Sequence, residues 1–148
     1  MYLLDTDIIS AASPLKHDDT QTLAVNKWLA ATSVKLFLSA VTIAEIEMGI
    51  AKAGHTGASR KARLLSDWLE FTLHLYADRI LPLDSATARI AGRLLDQASG
   101  RGGNPGFEDA AIAATAFRAN LTVVTRNIRH FQLMDVAVID PFDTLPAL

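Results

Sequence analysis

The chain opens on a short apolar run that ends in acidic residues. Leu3 and Leu4 are followed directly by Asp5, Thr6 and Asp7. A run of this length next to a stretch with helical spacing is typical of a short buried strand. Because open α/β sheets bind ligands at the carboxyl ends of their strands, the pattern predicts that Asp5 faces a crevice.

Apolar runs and helical patterns then alternate along the rest of the chain. After a polar stretch at 13–21, helical spacing is found around 24–31, 42–50, 64–76, 84–98 and 107–119. Strand patterns are found at 34–39, 80–83, 121–125 and 136–139. Because strands and helices alternate, we expect a mainly parallel sheet covered by helices, with right-handed crossover connections.

Local signals predict where several elements begin or end. Thr42 and Glu45 have the spacing of a helix capping box, and Asp84 and Asn127 are suited to cap the helices that follow them. The stretch 99–106 holds four of the eight glycines together with a proline, which predicts a surface loop.

The helical pattern at 64–76 is apolar on two faces. One stripe consists of Leu65, Trp68, Leu69, Leu73 and Tyr76, and the second consists of Leu64, Phe71 and Leu75. A helix of this kind is either buried within the fold or covered by a partner. The sequence leaves both possibilities open: a helix inside the core, or a surface for self-association or for another protein.

Composition favours a single-domain α/β protein. With 148 residues, of which 50% are hydrophobic and 7% aromatic, the chain suits one core of helices on a sheet, so we expect one domain over 1–148. No apolar run reaches the ~20 residues that span a bilayer, and no signal-peptide pattern opens the chain. We therefore expect a soluble, cytoplasmic protein without a membrane segment.

Cysteine content and charge limit the possible chemistry. The lack of cysteine excludes disulfides, thiolate metal sites and cysteine nucleophiles, and the four histidines, including His17, have no paired ligand spacing. Any metal ion would therefore be held by oxygen atoms. A formal charge of −2 argues against a pure nucleic-acid-binding module, but it allows an enzyme that meets phosphate through a cation and a local group of basic residues.

Acidic and amide side chains recur where strands end or helices begin. They are Asp5, Asp7, Glu45, Glu108, Asp109 and Asn127. Because parallel strands end at one edge of a sheet, these side chains could meet in one cleft, where the carboxylates repel one another unless protons or a divalent cation neutralise them. Three carboxylates on rigid elements suit Mg²⁺ or Mn²⁺, so the pattern predicts metal-assisted phosphoester chemistry.

Most of these positions also have a local explanation. Capping accounts for Glu45 and Asn127, and the helix dipole accounts for Glu108 and Asp109. Asp5 differs from them, because a carboxylate on a buried strand is costly without a partner.

Four motifs occur in order along nearly the whole chain. They are Leu4-Asp5-Thr6, residues 42–46 with Gly49, residues 109–116, and residues 125–127 with His130 and Phe131. Together they resemble the motifs of the PIN-domain family, in particular those of VapC-type toxins of the FitB-like kind. The resemblance implies a three-layer α/β/α fold and a magnesium- or manganese-dependent endoribonuclease. It also implies the toxin of a type II toxin–antitoxin system, a homodimer that acts on RNA and is inhibited by a cognate antitoxin protein.

The resemblance assigns roles to individual residues. Asp5, Glu45 and Asp109 match the acidic triad of the family and are the implied catalytic residues and metal ligands. The residues expected to line the site are Thr6, Asp7, Thr125 and Asn127.

Two positions depart from the family pattern. Many members have an acid in place of Asn127, so we expect any second metal ion to bind weakly or through water. Asp7 replaces a residue that is often neutral, and we expect it to face solvent.

Arg126 and Arg129 flank the site, and we expect them to contact RNA phosphates.

The sequence leaves two other functions open. Asp5-Thr6-Asp7 also resembles the carboxylate pair of haloacid-dehalogenase-type phosphatases, in which one aspartate is the nucleophile, although no suitable lysine follows. The apolar helix stripes also suit a non-catalytic binding module, either antitoxin-like or a scaffold.

Overall fold

One parallel sheet forms the centre of the computed structural model, which describes residues 1–15 and 19–148. The strands are β1 (Tyr2–Leu4), β2 (Leu36–Ser39), β3 (Ile80–Leu81), β4 (Thr122–Val124) and β5 (Val138–Ile139). Their order is β3-β2-β1-β4-β5, and every described pairing is parallel. The predicted parallel sheet is therefore confirmed, whereas part of the polar stretch at 13–21, including His17, lies outside the described residues.

Helices cover both faces of this sheet. Those in the described ranges are α1 (Thr6–Ser10), α2 (Thr20–Ala31), α3 (Ala40–His55), α4 (Ser59–Tyr76), α5 (Ser85–Gly100), α6 (Phe107–Ala119) and α7 (Ile128–Gln132). Short 3-10 turns, Ser33–Lys35 and Ala77–Arg79, precede β2 and β3. Among the described helices, none combines the length and the hydrophobicity needed to cross a membrane.

Successive residues of the central strands face two different cores. Leu3 and Val123 are fully buried in a core built largely from α5 and α6, whereas Leu4 and Val124 are fully buried against α2, α3 and α4. Side chains alternate between the faces of a strand, so burial on both sides requires helices on both sides. The result is the three-layer α/β/α fold that the sequence predicts.

Helix α6 passes through the interior. Every residue from Ala110 to Ala116 is buried, and most of them are alanine. Small side chains allow close packing against the neighbouring helix α5 and the sheet. The first turn of α6, which carries Asp109, is therefore held on a rigid element.

The strand predicted at 34–39 begins later than expected. Val34 lies in a 3-10 turn and is 77% exposed. The Arg79 guanidinium donates to the carbonyl oxygens of Ser33 and Leu36, so a side chain and not a neighbouring strand holds this segment. The inclusion of Val34 in the strand is therefore wrong.

The capping box predicted at Thr42 and Glu45 is also wrong. Helix α3 begins at Ala40, and the Ser39 hydroxyl caps it by accepting from the N–H of Val41 at 3.1 Å. Thr42 is buried within the first turn, and Glu45 lies beyond the positions at which a side chain can cap. The carboxylate of Glu45 is thus free to serve another purpose.

Other predicted bounds need smaller corrections. Strand β3 covers only part of 80–83, because Pro82 has no N–H for the ladder. Helix α5 continues to Gly100, so the loop predicted at 99–106 begins later. The cap of α5 is confirmed, since Asp84 Oδ1 accepts from the N–H of Thr87 at 2.9 Å.

Helix α4 shows the two apolar faces that the sequence predicts. Leu69 and Tyr76 are buried, whereas Leu64, Phe71 and Leu75 are 40%, 64% and 46% exposed. The first stripe therefore belongs to the core, and within the described part of the chain the second stripe forms an apolar surface.

Candidate active site

Asp5 follows β1 directly and stands at the N-cap of α1. Its main-chain N–H donates to Val124 O at 2.9 Å. Its Oδ1 accepts from the N–H of Thr6 at 2.8 Å, and its Oδ2 accepts from the Thr125 hydroxyl at 2.7 Å. Burial raises the pKa of the Asp5 carboxyl, although these two hydrogen bonds oppose the rise. The carboxylate is therefore held in place at the end of the central strand.

Thr125 joins Asp5 to the segment before α7. It is fully buried directly after β4, and its N–H donates to Ile139 O at 2.9 Å. The hydroxyl that donates to Asp5 also accepts from the N–H of Asn127 at 2.9 Å. One side chain thus fixes two of the residues that the sequence places in the site.

Glu45 reaches the same region from α3. The Thr6 hydroxyl donates to Glu45 Oε1 at 2.7 Å and lies 3.2 Å from the hydroxyl oxygen of Thr42. Partial burial raises the pKa of Glu45, and the negative charges of Asp5, Glu108 and Asp109 add to the rise. Through Thr6, which directly follows Asp5, Glu45 is held beside the end of β1. Asp5, Glu45 and Asp109, the three acids predicted as a triad, are named here the acidic cluster.

Asp109 and Asn127 both contact the ring of His130. Asp109 Oδ2 and Asn127 Nδ2 each lie 2.7 Å from His130 Nδ1. One ring nitrogen cannot donate to a carboxylate and accept from an amide N–H at once, so the two contacts are compatible when the Asn127 amide is turned with its oxygen toward an Nδ1–H. Asn127 precedes α7 without a side-chain capping bond, so its predicted capping role is wrong.

His130 receives no individual role in the sequence interpretation, which notes it only within the fourth motif. Its partner Asp109 lies 21 positions earlier on another helix, so no local periodicity connects the two. The available signal is the spacing of His130 three residues after Asn127, which places both side chains on one face of a helical turn.

Asp7 lies at the solvent-exposed edge of the acidic cluster. Its Oδ2 accepts from the N–H of Arg126 at 3.3 Å. Partial desolvation, followed by the negative charge of Asp5, raises the pKa of Asp7 to about 6. Within the described residues no lysine is hydrogen-bonded to Asp5 or Asp7, so the geometry gives no support to the aspartate-nucleophile alternative.

The two arginines near the site have different surroundings. The Arg126 guanidinium lies over the ring of Phe142, 4.6 Å from its centre. Arg129 is exposed and lies beside His130 in a cleft.

Two clefts border the acidic cluster. The larger one, about 630 Å³ and named here the α7 cleft, is lined by Arg101, Gly102, Gly103, Asn104, Asn127, Arg129, His130, Gln132 and Leu133. The smaller one, about 330 Å³ and named here the α3–α4 cleft, is lined by Thr6, Ser10, Ser13, Leu15, Glu45, Ile46, Gly49, Lys61, Leu65 and Trp68. The first meets the cluster at His130 and the second at Glu45, so the cluster can be reached from two sides.

The chemistry of the cluster fits a divalent cation. Carboxylate oxygens are the ligands that Mg²⁺ and Mn²⁺ prefer, and in the described ranges neither Asp5 nor Glu45 forms an ion pair with lysine or arginine. Among the same residues, no three acidic or histidine side chains are already grouped so that they could hold a metal ion. Glu45 is turned to Thr6 and Asp109 to His130, so shared coordination requires these side chains to change partners.

Known proteins are similar to this chain in sequence and in fold. The chain is 36% identical over 144 residues to Toxin FitB of Neisseria gonorrhoeae, an alignment that covers 96% of this chain and 99% of that protein. It is 32% identical over 145 residues to VapC ribonuclease Y4jK of Sinorhizobium fredii, covering 97% of this chain and 99% of the relative. The crystal structure of FitAcB from Neisseria gonorrhoeae superposes with a TM-score of 0.81 at 36% identity, covering 96% of this chain and 99% of that chain.

The match to the family model covers most of the chain. The family model described as PIN domain aligns with residues 2–136, which include every acidic residue of the candidate site. Sequence, fold and family model agree: the chain belongs to the PIN-domain family and is a relative of the FitB and VapC toxins within it.

Proposed function

We propose that this protein is a Mg²⁺- or Mn²⁺-dependent endoribonuclease, the toxin of a type II toxin–antitoxin pair, acting in the cytoplasm as a single domain over residues 1–148. The observation that supports the proposal is that Asp5 after β1 and Glu45 of α3 are joined through Thr6, while burial raises the pKa values of both and the charge of Asp109 at the start of α6 adds to each rise. Two relatives, one named as a toxin and the other as a VapC ribonuclease, also support the proposal.

Asp5, Glu45 and Asp109 are the proposed catalytic residues and metal ligands. A divalent ion held by these three residues would supply an activated water and would stabilise negative charge on the phosphoryl group. Thr125 keeps the Asp5 carboxylate oriented, and Thr6 holds Glu45 at the rim of the cleft. The site-lining Asn127 contacts His130 instead of adding a fourth acid, which supports one strongly bound ion.

The remaining proposed site residues act on the substrate or on the charge of the rim. Arg126 and Arg129 lie where they can meet the phosphates of an RNA strand, which compensates for the net negative charge of the chain. Asp7 adds negative charge at the edge, which disfavours entry of phosphate on that side.

The proposed partner is a cognate antitoxin, and a second copy of the chain is proposed to complete a homodimer. The neighbouring solved structures include FitAB bound to an IR36 DNA fragment, at 35% identity and a TM-score of 0.81. The exposed apolar stripe of α4 offers a surface that a helix of the antitoxin can cover.

The proposal is tested by expressing the chain in bacteria with and without its neighbouring open reading frame, and by sequencing the 5′ ends of cleaved RNA. We expect growth arrest and discrete new 5′ ends, both relieved by the neighbour. Asp5→Asn should abolish both effects because the buried carboxylate is lost from the cluster.

Asp96→Asn is the matched control, since it makes the same chemical change on the exposed face of α5. It should retain arrest and cleavage. Growth arrest that persists in Asp5→Asn, or arrest without new 5′ ends, contradicts a ribonuclease centred on this site.

A further inference from the structure

The α7 cleft is the larger of the two clefts that border the acidic cluster, and its lining is polar and basic. At about 630 Å³ its volume is within the range of pockets that hold small ligands. Its polar lining includes the guanidinium groups of Arg101 and Arg129, the amides of Asn104 and Asn127, and the imidazole of His130. None of its described lining residues is acidic, although the cleft reaches the carboxylate of Asp109 through His130.

The two arginines of this cleft differ in what they already bind. Arg101 is paired with both carboxylate oxygens of Asp135 at 2.8 Å, which fixes it as part of the wall. Arg129 is exposed and forms no ion pair within residues 1–15 and 19–148. Its charge is therefore available to a ligand, and an anion is the ligand that it favours.

The opposite wall is shaped by a glycine. A Cβ atom on Gly103 would lie 2.0 Å from Leu133 Cδ1, so a larger residue here would require the Leu133 side chain, which follows α7, to move. The Gly103 N–H donates to Ala98 O at 3.0 Å, which ties the loop back to α5. The cleft is thus bounded by packed backbone on one side and by His130 on the other.

We propose that the α7 cleft binds one unpaired nucleotide of a single-stranded RNA, adjacent to the phosphate that the acidic cluster attacks. Arg129 binds a phosphate of this nucleotide, and the base lies against His130 and the amide of Asn104. A concave pocket with a flat ring and amide groups suits a base that has left its stack, and a double helix cannot present one. The inference rests on the ribonuclease proposed above and adds the side from which the strand enters.

The α3–α4 cleft provides the contrast that favours this direction. It contains Glu45 and the apolar side chains of Ile46, Leu65 and Trp68, with Lys61 as the cation among its lining residues. The apolar side chains of this cleft offer no partner to phosphate oxygens and favour a peptide. The strand is therefore assigned to the α7 cleft and not to its neighbour.

The test is fluorescence anisotropy with labelled oligouridylate and oligoadenylate RNA in the presence of a chelator, repeated over a range of salt concentrations. We expect Arg129→Ala to weaken binding at least ~fivefold and to reduce the slope of log affinity against log salt by ~0.7, the value for one phosphate contact on a single strand. Asn104→Ala should weaken binding without changing that slope, because it removes a base contact.

Arg93→Ala on α5 is the matched control, since it removes one exposed arginine outside the cleft and should change neither quantity. Three results would each overturn the proposal. The parent protein binds neither oligouridylate nor oligoadenylate, it binds an RNA duplex equally tightly, or Arg129→Ala and Asn104→Ala both behave like the control. Cleavage assays with Mn²⁺ distinguish a failure of the ribonuclease proposal from a failure of the nucleotide subsite in the α7 cleft. RNA bound through Arg129 but never cleaved refutes the ribonuclease and leaves the subsite standing, whereas cleavage with an unchanged KM in Arg129→Ala refutes only the subsite.

Discussion

A single buried hydroxyl organises much of the candidate site. Thr125 Oγ1 donates to Asp5 and accepts from the main-chain N–H of Asn127, so it joins the end of β1 to the segment that leads into α7. Both partners are needed in a fixed place, one as a proposed ligand and the other as a neighbour of His130. The chemistry of the site thus depends on a residue that need not touch the substrate.

Thr125→Val should destabilise the protein by ~1–3 kcal/mol. Valine nearly keeps the shape, but it leaves the buried Asp5 oxygen and the Asn127 N–H without a partner, and such losses cost about this much. Urea unfolding measures the difference, and Thr125→Ser should restore most of the lost stability because it restores the hydroxyl. Equal stability of Thr125→Val and the parent would show that the hydroxyl does not hold the site.

Glu45→Gln should raise the melting temperature in a chelator at neutral pH. The pKa of Glu45 is raised by partial burial and by neighbouring acids, so its charge costs stability, while the glutamine oxygen can still accept from Thr6. The gain should disappear as the pH falls below 4.5, the ordinary value for glutamate, because the parent is then protonated in both states.

Saturating Mn²⁺ should reverse the order of Glu45→Gln and the parent, because the parent alone keeps every ligand and gains the full free energy of metal binding. Glu47→Gln on the exposed face of α3 is the control and should stay within ~0.5 kcal/mol of the parent in both conditions. Parallel shifts of Glu45→Gln with and without metal contradict its role as a ligand.

Asp7→Asn should stabilise the metal-free protein at pH 7 by less than ~1 kcal/mol, since solvent screens this exposed group. The pKa of Asp7 is raised from 3.8 to about 6 by desolvation and by Asp5, so the folded parent loses stability as the pH rises through this window. The advantage of the variant should therefore vanish as the pH falls from 6 to 3.8. Melting curves at several pH values test this, and a difference that does not change with pH contradicts it.

Helix α4 shows how one element can serve two purposes. Leu69 and Tyr76 belong to the core, while Leu64, Phe71 and Leu75 leave an exposed stripe on the same helix. Exposed apolar side chains that lie together on one face mark an interaction surface more often than a solvated one. The element therefore connects the fold to the partner proposed above.

Phe71→Ser should weaken binding of the cognate antitoxin by about tenfold or more without unfolding the protein. The side chain is 64% exposed, so its loss removes little core packing but a large part of the apolar stripe. Phe117→Ser is a closely matched control, because Phe117 is also 64% exposed but lies on α6. Calorimetric titration of both variants with the antitoxin decides the matter, and equal affinities contradict a docking role for α4.

At the scale of the whole molecule, the parallel sheet explains why a candidate site could be predicted from the sequence. Leu3 and Leu4 followed by Asp5 indicate a buried strand with an acid at its end, and the topology then brings the later elements to the same edge. The position of Glu45 at this edge could be predicted, but the cap of its helix could not, because Ser39 and not Thr42 caps α3. Local patterns do not show which of two nearby hydroxyls begins a helix.

Contacts between distant parts of the chain could not be predicted from local sequence patterns. His130 meets Asp109 where α6 and α7 lie together, and Arg79, far along the chain, binds the backbone on either side of Val34, which lies outside its predicted strand. Both events depend on tertiary structure, which overrides local preference.

The central claim is that Asp5, Glu45 and Asp109 form one metal-dependent centre that cleaves RNA. The most direct measurement is the single-turnover cleavage rate of an RNA that carries the mapped site, in excess Mn²⁺ and in chelator, for the parent, Asp109→Asn and Asp96→Asn. The account predicts cleavage by the parent and by Asp96→Asn only with Mn²⁺, and a rate at least ~100-fold lower for Asp109→Asn, equivalent to ~2.7 kcal/mol of transition-state stabilisation. Cleavage in chelator, or an Asp109→Asn rate equal to that of Asp96→Asn, contradicts it.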